Sequence, residues 1–104
     1  MSVHIRRLVL DVLKPHKPGI VALSREISTL PGITGCNITL IEIDKKVENV
    51  KITVEGSDIN FEKLNALVED NGGTIHSVDK VSAGKKGPKI VEEAEYLPRN
   101  PSLR

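Results

Sequence analysis

Residues 36–55 read CNITLIEIDKKVENVKITVE. Two β-rich runs, Cys36–Ile43 and Val50–Glu55, are held apart by the mostly polar connection Asp44–Asn49. In the second run Val50, Ile52 and Val54 alternate with polar residues, the period-two signature of a strand with one buried face. Two consecutive strands joined this tightly pair as an antiparallel hairpin at the centre of the chain. What flanks the hairpin then decides the fold.

Upstream, Ile20, Leu23, Ile27 and Leu30 recur at three- and four-residue steps over Pro18–Leu30, predicting an amphipathic helix with Pro18 in its first turn and Pro31-Gly32 ending it. Before it, Val3–Leu13 (VHIRRLVLDVL) predicts a strand stopped by Lys14-Pro15. Downstream, Ser57-Asp58 offers side chains to cap a second helix with Phe61, Leu64 and Val68 on its apolar stripe. Asn71-Gly72-Gly73 ends that helix, and Thr74–Ser82 predicts a fourth strand. There Ile75, Val78 and Val81 step by three, which one flat strand face does not accommodate, so a β-bulge is expected. The order β-α-β-β-α-β specifies an α+β, ferredoxin-like sandwich: a four-stranded antiparallel sheet of spatial order 4-1-3-2 with both helices on one face. Residues 1–84 form this domain in the expectation, and residues 85–104, opening on Lys85-Lys86-Gly87-Pro88, a linker and C-terminal tail.

Composition narrows the function classes. The chain has 104 residues, suiting one domain, and only 2% of them are aromatic, which removes the stacking platforms on which single-stranded nucleic acid is held. Net charge is +1, with ten Lys/Arg against eleven Asp/Glu in residues 1–84 and five against three in residues 85–104. No field of that size steers the protein to nucleic acid or anionic lipid, and no 18-residue apolar run predicts a membrane span. The single cysteine, Cys36, rules out an intrachain disulfide and suits a reducing compartment, so a cytoplasmic location is expected.

Chemistry-bearing residues are sparse. Cys36 has no second cysteine for a metal-chaperone loop, and His4, His16 and His76 lack zinc-ligand spacing. Glu42, Asp44 and Glu48 surround the hairpin connection but are interrupted by Lys45 and Lys46 and lack the ligand count of a calcium loop. Gly84-Lys85-Lys86-Gly87 lacks the strand–loop–helix context of a phosphate loop. No catalytic set, metal site or cofactor is therefore expected.

The first strand carries the clue to assembly. Leu8, Leu10 and Val12 face the helices, yet the opposite face still holds Val3, Ile5, Val9 and Leu13, and the second strand adds Ile41 and Ile43. A solvated sheet face does not read this way, so a covering partner is expected, most simply further copies of the chain in a homo-oligomer larger than a dimer. Arg7 and Asp11 sit on that face among aliphatic neighbours and need charge partners close by.

The segments HIRRLVLDVLKPHKP, ITGCNITLIEID and GGTIHSVDKVSAGK resemble an archaeal family of small uncharacterised proteins, the domain-of-unknown-function family numbered two hundred and eleven, from about Val3 to about Lys85. The resemblance implies a ferredoxin-like fold and homo-oligomers, and brings no catalytic residues. A second, weaker likeness is to ACT domains, regulatory modules that bind amino acids at subunit interfaces. It rests on Leu10-Asp11 near a strand end and Pro18-Gly19-Ile20 opening a helix, with Val12–Lys17 forming a longer connection than ACT domains have. Together these readings point to a non-catalytic, self-associating module that binds a small ligand or regulates a partner. The alternatives are a structural or protein-interaction oligomer, or an enzyme with an interface active site. The expected ligand site lies at the carboxyl end of the first strand. Arg7 and Asp11 supply charge, the helix start at Pro18, Gly19 and Ile20 supplies free N–H groups, and Thr39 and His76 line it from other strands.

Overall fold

The computed structural model describes residues 3–85. Its elements are β1 (His4–Pro15), α1 (Ile20–Ser28), β2 (Ile33–Ile43), β3 (Val47–Gly56), α2 (Phe61–Asp70) and β4 (Thr74–Gly84). They form one antiparallel sheet of order β2-β3-β1-β4, the expected ferredoxin-like arrangement. The tail expected over residues 85–104 lies, but for Lys85, outside the described residues. No helix among the described residues is long and apolar enough to cross a membrane.

The core follows from alternation. Leu8, Leu10 and Val12 of β1 and Val50, Ile52 and Val54 of β3 meet Leu23 and Ile27 of α1 and Leu64 and Val68 of α2 in one buried cluster. Both helices therefore cover the same face of the two central strands. The bulge expected in β4 is present, and occurs twice: Val12, Leu10 and Leu8, two residues apart, pair with Ile75, Val78 and Val81, three apart. Each bulge absorbs one residue and keeps all three aliphatics on the helix-side face.

Four local expectations are corrected. Lys14-Pro15 does not stop β1, because the strand runs to Pro15 and Lys14, in phase with Leu8, Leu10 and Val12, turns inward and is only 3% exposed. Its ammonium donates to Glu48 Oε1 at 2.9 Å and to the Pro15 carbonyl at 2.8 Å. Pro18 precedes α1 rather than opening it: Gly19 is the N-cap, and the Lys17–Pro18 peptide is cis. The cap of α2 is Asn60, whose side chain accepts from the Lys63 N–H at 3.0 Å, not Ser57 or Asp58. Ile59 is buried and its N–H donates to the Ile5 carbonyl, which ties this segment to β1 before the helix starts.

The fourth correction alters the open face, the one without helices. A register shift between Ile5 and Arg7 breaks the alternation of β1, so Ile5 packs against the core. Ile43 pairs with Glu48, the partner of inward-facing Lys14, and so belongs to the helix side as well. The open face consequently reads Arg7, Val9, Asp11 and Leu13 on β1 beside Glu55, Thr53, Lys51 and Asn49 on β3. It is mostly polar.

Gly32, after α1, has φ +85°, and a Cβ there would stand 2.1 Å from the Asp58 carbonyl oxygen. Its own carbonyl accepts from the Ser57 N–H at 2.9 Å and lies 1.9 Å from where a Cβ on Gly56 would sit. The two glycines let the entry to β2 press against the exit from β3.

Candidate functional site

The open face is organised as cross-strand rows. Arg7 and Glu55 are directly opposed, and the Arg7 Nε and Nη2 atoms both reach Glu55 Oε2 at 2.8 Å. Two rows further along β1, Asp11 opposes Lys51 of β3 and Ser77 of β4, and Thr39 of β2 completes the row beyond Lys51. Asp11 accepts from the Asn49 amide, while Lys51 reaches across to Asp79 Oδ2 at 3.2 Å. The Ser77 hydroxyl donates to Asp79 Oδ1 at 2.7 Å. That bond, then the contact with Lys51, holds the exposed Asp79 carboxyl below its ordinary range. Arg7 and Asp11 thus find their partners within the chain, on β3.

The residues of the expected ligand site fall into two groups. Arg7, Asp11 and Thr39 share the open face, with Thr39 two strands from Asp11, roughly 10 Å at ordinary strand spacing. His76 lies at a β4 bulge, outside the Asp11–Ser77 row, and is exposed. Pro18, Gly19 and Ile20 are on the other side: Ile20 packs against the core cluster beneath the helices. Asp11 and the helix start therefore lie across the thickness of the sheet from one another. The alternation of β1 causes this separation, since Leu10 and Val12 face the helices and Asp11 faces away.

Among the described residues, two depressions beside β2 bear on the site. One, of about 280 Å³, is lined by Thr34, Gly35, Cys36, Asn37, Thr53 and Glu55. It exists because Gly35, opposite Glu55, carries no side chain. Burial pushes the Cys36 thiol up to about 11. The second, of about 190 Å³, is lined by Leu13, Glu42, Ile43, Asp44, Val47 and Asn49 at the hairpin end. There the Val47 and Lys46 N–H groups donate to Asp44 and hold its exposed carboxyl below the usual carboxylate range. Glu48, which the sequence groups with Glu42 and Asp44, is tied to Lys14 instead. No group of three or more His, Cys, Asp or Glu residues that could hold a metal ion occurs among the described residues.

Sequence reasoning named Ile41 and Ile43 but placed the uncovered apolar surface on the open face rather than along the edges of the sheet. Leu40 (44% exposed), Ile41 (51%) and Ile43 (59%) stand out on β2, and Val78 (44%) and Val81 (54%) on β4. The available signal was the strand order itself, which makes β2 and β4 the outer strands.

The family model described as "Uncharacterized ArCR", DUF211, matches residues 6–99. The chain belongs to the DUF211 family. The match continues past Lys85, where the resemblance was expected to end, so the DUF211 pattern takes in most of residues 85–104. A relative, "Uncharacterized protein MJ0319" of Methanocaldococcus jannaschii, is 52% identical over 89 residues, covering 86% of this chain and 89% of that protein.

Proposed function

We propose that this DUF211 protein is a non-catalytic module of the cytoplasm that assembles with copies of itself, through the edges of the sheet rather than its open face. The observation that carries the reading is the exposure of Leu40, Ile41 and Ile43 on one outer strand and of Val78 and Val81 on the other. Together they leave roughly 400 Å² of aliphatic surface in water, which at about 25 cal/mol per Å² is on the order of 10 kcal/mol before the cost of association. Each outer strand is 11 residues long, and among the described residues neither is flanked by a further strand, so each presents a sheet edge along which a neighbouring strand can pair.

The geometry of the two edges supports a head-to-tail contact. Three antiparallel steps separate β2 from β4, so the two strands run in opposite directions. A second copy laid alongside, with its helices on the same side, brings its β2 antiparallel to the first copy's β4. Leu40, Ile43, Val78 and Val81 all lie on the helix side by register, so the contact extends the existing core into the neighbour. Heterologous contacts of this kind close into rings when the rotation allows, giving assemblies larger than a dimer. A regulatory role coupled to a small ligand is the companion of this reading.

Sedimentation velocity across nanomolar to micromolar concentrations tests it. Wild type is expected to sediment as one species larger than a dimer, while Ile43→Lys and Val81→Lys each dissociate it and keep the wild-type circular dichroism. A wild-type monomer at 50 µM overturns the reading. So does an assembly that survives both charges but falls apart on Val9→Lys, which would return the contact to the open face.

A further inference from the structure

We propose that the depression beside Gly35 is a binding site for a free α-amino acid, built by the open face of a single chain. The notch comes from Gly35: a Cβ there would meet nothing within 4 Å, and the residue directly across the strand pair is Glu55. A depression of about 280 Å³ has room for a molecule of amino-acid size.

The polar groups around it are arranged for opposite charges at once. Arg7 Nε and Nη2 both contact the same oxygen, Glu55 Oε2, at 2.8 Å. Glu55 Oε1 is left for another donor, and a guanidinium with five N–H groups retains donors of its own. The two side chains are 30% and 48% exposed, so the pair is open to a ligand rather than sealed. A carboxylate and a guanidinium side by side, with no net charge, match a zwitterion better than a lone cation or anion. An ammonium group entering the notch meets Glu55, and a carboxylate directed toward β1 meets Arg7. Asn37 and Thr53, opposed to one another next to the notch, make no side-chain hydrogen bond among the described residues and are free to serve a polar ligand. The Thr34 hydroxyl already donates to the Glu55 carbonyl at 3.2 Å and holds the rim of the site in place.

The site requires no neighbouring copy, so it stands or falls separately from the edge assembly. The test is isothermal titration of the full chain with each of the twenty amino acids, followed by the same titration of the amine and of the carboxylic acid that correspond to any binder. At least one amino acid is expected to bind with a Kd of 1 mM or tighter. Its decarboxylated amine and its deaminated acid should each bind at least tenfold more weakly. Gly35→Val, which fills the notch at an extended position with open space, should weaken binding at least tenfold. Glu55→Gln should do the same, while Ser77→Ala, on the same face but outside the depression, should leave it unchanged. Should Gly35→Val fail to fold, Asn37→Leu replaces it with the same expected loss. No binding by any amino acid overturns the proposal, as does binding indifferent to Gly35→Val and Glu55→Gln. An amine that binds as tightly as its amino acid overturns the zwitterion assignment.

Discussion

Replacing Glu48 by alanine would leave the Lys14 ammonium inside the protein with only the Pro15 carbonyl for company. The pair is well enclosed, with side chains 3% and 12% exposed and 2.9 Å between Nζ and Oε1. At that separation and an effective dielectric near 20, Coulomb attraction is about 6 kcal/mol, most of which offsets the cost of taking both charges out of water. Removing one partner cancels the attraction and keeps the other's desolvation, so Glu48→Ala should cost about 3–5 kcal/mol. For a domain of this size that lowers Tm by about 15–30 °C. The double variant Lys14→Met/Glu48→Leu keeps the volume, removes both charges, and should fall within about 1–2 kcal/mol of wild type. Urea unfolding at pH 7, followed by circular dichroism at fixed protein concentration, measures both differences. A loss below about 1 kcal/mol for Glu48→Ala would refute the reasoning. A double variant as unstable as the single one would show that the cost lies in lost packing rather than in the stranded charge.

Gly56→Ala should destabilise by about 2 kcal/mol or more, because its methyl group meets the Gly32 carbonyl, whereas Gly35→Ala should change stability by less than about 0.5 kcal/mol; chemical denaturation of the two separates a clash from an open strand position. With its thiol pushed up to about 11, Cys36 should react with iodoacetamide at pH 8 far more slowly in the native protein than in urea, and equal rates would contradict its burial. The raised thiol also has a sign: the unfolded chain ionises first, near its ordinary 9.0, so stability should decline as pH rises from about 9 toward 11, and Cys36→Ala should flatten that decline. For Asp44, held low by the Val47 and Lys46 N–H groups, the stabilisation is present above its ordinary 3.8 and fades below it; Asp44→Ala should speed amide exchange at Lys46 and Val47 while leaving the Ile52 amide unchanged.

The topology was legible because each element announces itself locally. Val50, Ile52 and Val54 alternate, Leu64 and Val68 stand one turn apart, and even the β4 bulges are written in the three-residue steps of Ile75, Val78 and Val81. What could not be read depends on partners distant in sequence. Lys14 looked like a strand stop because its partner, Glu48, is 34 residues away and a lysine alone argues for solvent. Strict alternation from Leu8 turns Ile5 outward, but the register shift at Arg6 reverses the alternation, and nothing in VHIRRL marks it. The expected ligand site joined Asp11 to the start of α1 because they are close along the chain, whereas one step of β alternation puts them on opposite faces of the sheet. The Gly35 notch was invisible for the same reason: a glycine in a strand becomes a cavity only once Glu55 is known to lie across from it.

Gly32 and Gly56 line neither of the two depressions beside β2, yet each occupies a place where any side chain would run into main chain. Across a lineage, selection would hold both positions to a single residue type through chain geometry alone, while Glu55 and Asn37 would be free to drift if nothing binds beside them. Ranked by invariance, a set of orthologues would therefore place these two glycines at the top and invite their mistake for a ligand loop. The informative comparison is at Gly35, where the backbone leaves open space for a Cβ and a bound ligand is what would keep the position bare.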